Sequence, residues 1–253
     1  MDQATPAVLI CGIANERSLA TAVARALAAQ GVALCCTWQD ERHRARVERI
    51  GEELAMPVLG RLDVRDPDSL AACAAALGER PLCGLLHAIA FGRLADDAGV
   101  PVPVHQIDAE RWAEALEISA RSLPQLLNTF RHALQPGSGV VALTHHGARR
   151  VAPGYNLMGV AKAALEAALR YCAAELGPLG IRVNAVSAGS VRTAAASAVP
   201  GFAQRFAETA ERVPLRRNIT AAEVGQAAAW LISEQASAIT GVILPVDAGD
   251  HLL

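Results

Sequence analysis

Short apolar runs alternate along this chain with longer stretches in which apolar residues recur every three or four positions. Ala7–Cys11 (AVLIC) reads as a buried strand and Ser18–Gln30 as an Ala-rich helix that stops at Gly31. Val32–Thr37 predicts a second strand, Arg42–Leu54 a helix with charges at helical spacing, and Val58–Leu62 a third strand closed by Asp63. Pro67 and Asp68 open a helix to about Leu77, and Gly84–Ile89 is the fourth strand. A connection with Gly99, Pro101 and Pro103 leads to Ala109–Leu134, helical in pattern, where Pro124 predicts a break or kink. Val140–Thr144 is the fifth strand, and Tyr155–Leu176 a helix ended by Gly177 and Pro178. Arg182–Ser187, the helix Ala221–Ser233 and the strand Val242–Val246 complete the series.

Strands separated by helices in this rhythm imply right-handed crossovers and a parallel sheet covered on both faces. No repeat, low-complexity tract or linker divides residues 1–253, so the expectation is one doubly wound α/β domain with a seven-stranded parallel sheet. Ligands of such sheets sit beyond the carboxyl ends of the strands. That directs attention to Gly12–Ser18, Gln39–Asp40, Asp63–Val64, Ala90–Phe91, Thr144–Gly147 and Ala188–Thr193.

Composition narrows the function. A formal charge of −2 offers no electrostatic argument for nucleic acid or an anionic membrane. No apolar run reaches membrane-spanning length, and the start MDQATPAVLI lacks the basic, apolar pattern of a signal peptide, so the expected location is the cytoplasm. The six cysteines form no CxxC pair and several lie in apolar runs, which favours buried thiols over disulfides. The seven histidines show no metal-ligand spacing, so no metal is expected.

The candidate chemistry lies in two places. CGIANERS follows the first strand with a glycine turn and then a helix, whose N-terminal N–H groups suit a pyrophosphate. Ser18 either caps that helix or donates to a phosphate oxygen. Gln39 and Asp40, ending the second strand, suit a free ribose 2′-hydroxyl, whereas Arg42 and Arg44 either reach a phosphate or form a solvated helix face. This favours NADH over NADPH. Asp63 either accepts from adenine or closes an Asx turn. The second place is YNLMGVAKAALEA, where Tyr155 and Lys162 stand two helical turns apart on one face. A phenol beside an ammonium can stabilise a developing oxyanion and grip a sugar hydroxyl. A nearby ammonium predicts a lowered tyrosine pKa, and packing of an aromatic beside a snorkelling lysine is the plain alternative.

With these residues the chain resembles the short-chain dehydrogenase/reductase superfamily, and within it the enoyl-[acyl-carrier-protein] reductases. GIANERS at Gly12, LDV at Leu62, HAIAF at His87, the Tyr155 segment, GIRVNAVSAG at Gly180, VRTAAAS at Val191 and GVILPVDAG at Gly241 carry the resemblance nearly end to end. The superfamily's usual YxxxK is absent because Gly159 stands four residues after Tyr155; the seven-residue spacing marks the enoyl reductase branch. The resemblance implies a Rossmann-like domain that uses NADH to reduce the carbon–carbon double bond of a trans-2-enoyl thioester. It implies that Tyr155 donates to the thioester carbonyl and Lys162 bonds the nicotinamide ribose. Gly12, Ile13, Ser18 and Leu19 would line the pyrophosphate, and Gln39, Asp63 and Val64 the adenosine. Ile89, Ala90 and Val191 would border the nicotinamide, with Thr193 near the phosphates. Phe91, Met158, Ala195 and Phe202 would line the acyl pocket. A homotetramer is implied, and so is an acyl carrier protein as partner.

Two departures stand out. Ten residues before Tyr155, where many relatives have a second tyrosine, this chain has His145; the imidazole either assists proton delivery or forms pocket wall. In the substrate loop, about 192–212, Pro200, Gly201, Ala203 and Gln204 surround Phe202 and only Arg205 is basic, which predicts weaker docking of an acidic carrier. A reductase or dehydrogenase of a secondary pathway, acting on an enone or a ketone/alcohol pair, is the competing expectation. A non-catalytic dinucleotide sensor is another, and Tyr155 with Lys162 argues against it.

Overall fold

The computed structural model describes residues 5–96, 99–193, 196 and 201–253. Ala195 and Pro200, both in the expected substrate loop, lie outside the described residues. Among the described residues, seven strands form one parallel sheet: β1 (Ala7–Cys11), β2 (Ala33–Trp38), β3 (Val58–Arg61), β4 (Leu82–His87), β5 (Leu134–His145), β6 (Arg182–Ala188) and β7 (Ile243–Val246). Their spatial order is β3-β2-β1-β4-β5-β6-β7. The helices are α1 (Leu19–Ala29), α2 (Glu41–Glu53), α3 (Pro67–Leu77), α4 (Ala109–Leu116), α5 (Ser122–Phe130), α6 (Asn156–Leu176), α7 (Phe202–Arg212) and α8 (Ala221–Ile232).

The central strands β1, β2 and β4 are largely apolar because both faces are covered. Successive residues feed opposite cores. Leu9, Leu85, Val140 and Val183 pack with Leu70 of α3, Leu126 of α5 and Leu165 of α6. Val8, Ile10, Leu86 and Val141 pack with Val23 of α1, Ile50 of α2 and Val224 of α8. Chain order reverses between β1 and β4, which pair in register from Val8↔Gly84 to Cys11↔His87. A doubly wound sheet opens its binding crevice at this point.

Three boundaries differ from expectation by more than a residue, one of them the start of β5, at Leu134 rather than Val140. The helix expected over Ala109–Leu134 divides at a π turn, Glu117–Arg121, and ends at Phe130; Leu134 belongs to β5, paired with Leu82. Pro124 lies inside α5 rather than ending a helix. A proline lacks its own N–H and crowds the carbonyl four residues back, here that of Ala120, and the wider π turn absorbs this misfit one turn upstream. The fourth strand stops at His87, two residues early, and leaves Ile89, Ala90 and Phe91 on the lip of the crevice.

Candidate active site

A cleft of about 1330 Å³ opens over the carboxyl ends of the strands. Gly12 begins its floor. It adopts φ +107°, and a Cβ there would lie 2.2 Å from the carbonyl oxygen of Ala88. The turn therefore passes as close to β4 as backbone allows, and only glycine fits. The chain then enters α1, whose N-terminus no side chain caps and whose first turn has no acidic residue. Ser18 is the residue at the cap position, but its hydroxyl donates to the Asn15 carbonyl at 2.7 Å and bonds Thr21 Oγ1 at 2.8 Å, so it shapes the turn and does not cap the helix. Exposed N–H groups, a dipole of the right sign and a glycine-thin floor fit a dinucleotide pyrophosphate.

Ile13, Ser18, Leu19, Gln39, Asp63 and Val64 line this half of the cleft with Gly12. Asp63 is buried and closes an Asx turn by accepting the Arg65 N–H at 3.0 Å, with Arg61 3.1 Å away. Asp40 does not line the cleft. It caps α2 through the Arg42 N–H and pairs with the Arg42 guanidinium at 2.7 Å. Arg44 pairs with Glu41 and Glu48. The two arginines thus belong to a solvated helix face.

Ile89, Ala90, Phe91, His145, Tyr155, Met158, Lys162, Val191, Thr193 and Phe202 line the other half. The π turn reaches this wall, because Ser119 Oγ accepts from the Phe91 N–H at 2.9 Å and donates to the Phe91 carbonyl at 3.0 Å. Tyr155 stands at the start of α6, its ring 4.5 Å from that of His145. Gly159 allows this arrangement, since a Cβ there would sit 2.7 Å from the Gly147 carbonyl oxygen. The position that carries lysine in YxxxK is here the contact between α6 and the His145 turn. Lys162 follows on the same face, buried, and donates to the Leu143 carbonyl at 2.8 Å.

Burial sets the protonation of this half. It raises the Tyr155 hydroxyl well above its ordinary value, opposite to the direction expected from a nearby ammonium, and desolvation is the cause. Burial lowers Lys162 to about 8, against a smaller raising effect from Glu166. Burial, then the neighbouring His146, lowers His145 to about 3. Its Nδ1 accepts the Gly147 N–H at 3.0 Å, so the ring is neutral and offers only an Nε2–H. It holds no second proton to deliver near neutral pH.

Sequence reading ranked His146 behind His145 and passed over Arg150, Arg212 and Asp250; all four line the cleft. They come from three separated segments, and no local pattern links them. His87, first residue of the HAIAF segment, is fully buried behind the wall and bonds Ser122 Oγ at 2.7 Å.

Strand order, glycine turn and cleft define a doubly wound dinucleotide-binding protein of the α/β class. The family model described as enoyl-(acyl carrier protein) reductase matches residues 12–251, and the chain belongs to that family. It is 41% identical over 248 residues to an NADH-type enoyl-[acyl-carrier-protein] reductase of Neisseria meningitidis, covering 96% of this chain and 93% of the relative. Identity to an NADPH-type enzyme of Staphylococcus aureus is 38%, covering 97% of this chain and 96% of the relative. The crystal structure of the NADH-type enzyme from Aquifex aeolicus superposes with a TM-score of 0.92 at 33% identity, covering 99% of this chain and 98% of that one. No helix among the described residues is long and apolar enough to cross a membrane.

Proposed function

We propose that the protein reduces the carbon–carbon double bond of a trans-2-enoyl thioester with NADH. The observation that carries this reading is the convergence of Tyr155, Lys162 and the Gly12 turn on one cleft. NADH, when bound, supplies the hydride that goes to the β-carbon. Tyr155, kept protonated by burial, donates a hydrogen bond to the thioester carbonyl oxygen as negative charge builds there. Lys162, steadied by the Leu143 carbonyl, bonds the ribose and adds positive charge on the same side. Gly12, Ile13, Ser18 and Leu19 hold the pyrophosphate, Gln39, Asp63 and Val64 the adenosine, Ile89, Ala90 and Val191 the nicotinamide, and Thr193 the phosphate end. Phe91, Met158 and Phe202 wall off the acyl chain and exclude water. His145 presents its Nε2–H beside Tyr155. The enolate left by hydride addition then takes a proton from solvent water at its α-carbon.

NADH is preferred over NADPH because the arginines next to Gln39 are engaged by Asp40, Glu41 and Glu48. The substrate is carried on acyl carrier protein and the enzyme works in the cytoplasm. Exposed Tyr171 and Val160 on α6 support a homotetramer. A second reading keeps the reaction and changes the carrier: α7 exposes Glu208 and Glu211, which would repel an acidic partner.

The test follows loss of NADH and NADPH absorbance with crotonyl and longer enoyl thioesters, on carrier protein and on coenzyme A, beside small ketones and alcohols. Turnover of enoyl thioesters with NADH is expected. Turnover of ketones or alcohols alone refutes the proposal, and tight NADH binding without any turnover points to a sensor.

A further inference from the structure

We propose that Asp250 is a positioning residue that ties α7 to the turn carrying His145, so that the acyl wall of the cleft and the ring packed on Tyr155 are set together. The inference rests on the reductase reading for its kinetic consequence, but the coupling is a property of the fold alone.

The turn after β5 is held between two buried carboxylates. On one side, Glu166 of α6 receives Thr144 Oγ1 at 3.0 Å and Arg149 Nε at 2.9 Å. On the other, Asp250 pairs with Arg150 at 3.0 Å, and His146 Nδ1 lies 3.2 Å from the same oxygen without a hydrogen bond. His145 lies between these anchors. The two oxygens of Asp250 serve different elements. Oδ2 faces His146 and Arg150 of the turn, and Oδ1 accepts from Arg212, in the last turn of α7, at 2.8 Å. One rigid carboxylate therefore cannot reorient toward one partner without leaving the other.

The carboxylate is itself fixed. Asp247 accepts the Gly249 N–H at 3.0 Å and the His251 N–H at 2.9 Å, and its carbonyl takes the Asp250 N–H at 3.1 Å. The Leu215 N–H, just beyond α7, bonds the Ala248 carbonyl at 3.2 Å. Burial alone would raise the Asp250 carboxyl, but Arg212, His146 and Arg150 outweigh it and keep the group ionised below the usual carboxylate range. A buried charge removed from such a set leaves its partners uncompensated. The Arg212 side chain is 60% exposed, so the link to α7 is the one that can be broken without disturbing the interior. All four side chains line the cleft, so movement of α7 is felt at the wall that receives the acyl group.

The experiment reads the effect of a change on one element at the other. In the full-length protein, Arg212→Gln should speed amide exchange about threefold or more both in 202–212 and in 145–150, with exchange in β1 unchanged. Its KM for an enoyl thioester should rise about tenfold, with NADH Kd and kcat within about threefold of wild type. Arg212→Lys should restore most of the loss. Asp250→Asn should reproduce both effects, and the double variant should be no worse than Asp250→Asn alone. Exchange that rises only in 202–212, or kinetic effects that add in the double variant, overturns the proposal. If Asp250→Asn does not fold, Arg212→Gln decides by itself. If wild type turns over no enoyl thioester, the reductase reading fails while the exchange arm still decides the coupling.

Discussion

Lys162→Met should stabilise the free protein at neutral pH while weakening its hold on the dinucleotide. The lysine is 5% exposed, and burial brings it from 10.5 to about 8. That gap is worth about 3 kcal/mol of destabilisation wherever the group is charged in both folded and unfolded chains. Methionine matches the stem and carries no charge, but it orphans the Leu143 carbonyl, which costs about 1–3 kcal/mol. The net gain at pH 7 is then about 0–2 kcal/mol. The pH dependence is more decisive. Between about 8 and 10.5 the unfolded chain binds the proton that the folded chain has released, so wild-type stability rises with pH through this window. The variant has no such rise. Relative to wild type it should lose about 3 kcal/mol from pH 7 to above 10, and the two stability curves should cross. Urea unfolding at fixed protein concentration, followed by circular dichroism, measures both curves. Parallel curves across this window would mean that the ammonium is not desolvated in the fold.

Three further outcomes follow from the same geometry. Gly12→Ala places a methyl 2.2 Å from the Ala88 carbonyl at φ +107°, so it should cost about 1–3 kcal/mol in backbone strain and sharply reduce NADH affinity, read by denaturation and by fluorescence titration. Tyr155→Phe removes one donor to the forming oxyanion, and kcat should fall about 100- to 1000-fold with NADH affinity nearly unchanged, measured by steady-state kinetics and titration. His145→Phe should leave the pH profile of turnover superimposable on that of wild type between about 5 and 7, because the imidazole is neutral throughout that range. A wild-type limb in that window that vanishes in the variant would restore the acid role.

The sheet was legible because parallel strands buried on both faces must be short continuous apolar runs, as AVLIC and ALCCTW are, with helices of 3.6 periodicity between them. The floor of the cleft was legible at Gly12, and the catalytic face at Tyr155 and Lys162, because each is a local spacing. The π turn at Glu117–Arg121 was not. Pro124 announced a disturbance, but the backbone relieved it one turn earlier, where nothing in the local residues marks the site. Asp40 read as a ribose contact because it ends a strand; in the fold its carboxylate satisfies a helix N-terminus and its neighbour Arg42 instead. Asp250 was illegible for a different reason. Its partners lie at 146, 150 and 212, and only the tertiary structure closes those distances.

The protonation states were the least legible feature, and they bear directly on catalysis. From sequence, an ammonium near Tyr155 suggests a phenol that gives up its proton more easily than usual. In the cleft, the same desolvation acts on every group and always against charge: it raises Tyr155, lowers His145 to about 3, and brings Lys162 to about 8. A phenolate would repel an incoming negative charge, whereas a neutral phenol donates to it. Burial thus leaves the acyl half with O–H and N–H donors from Tyr155 and His145 and a marginally held proton on Lys162. In surroundings of low dielectric such preoriented donors gain most when charge appears on the substrate, because no water competes and little has to reorganise. The apolar wall of Phe91, Met158 and Phe202 is therefore part of the catalytic chemistry on this reading. Widening it to admit water should reduce turnover even where Tyr155 and Lys162 remain untouched.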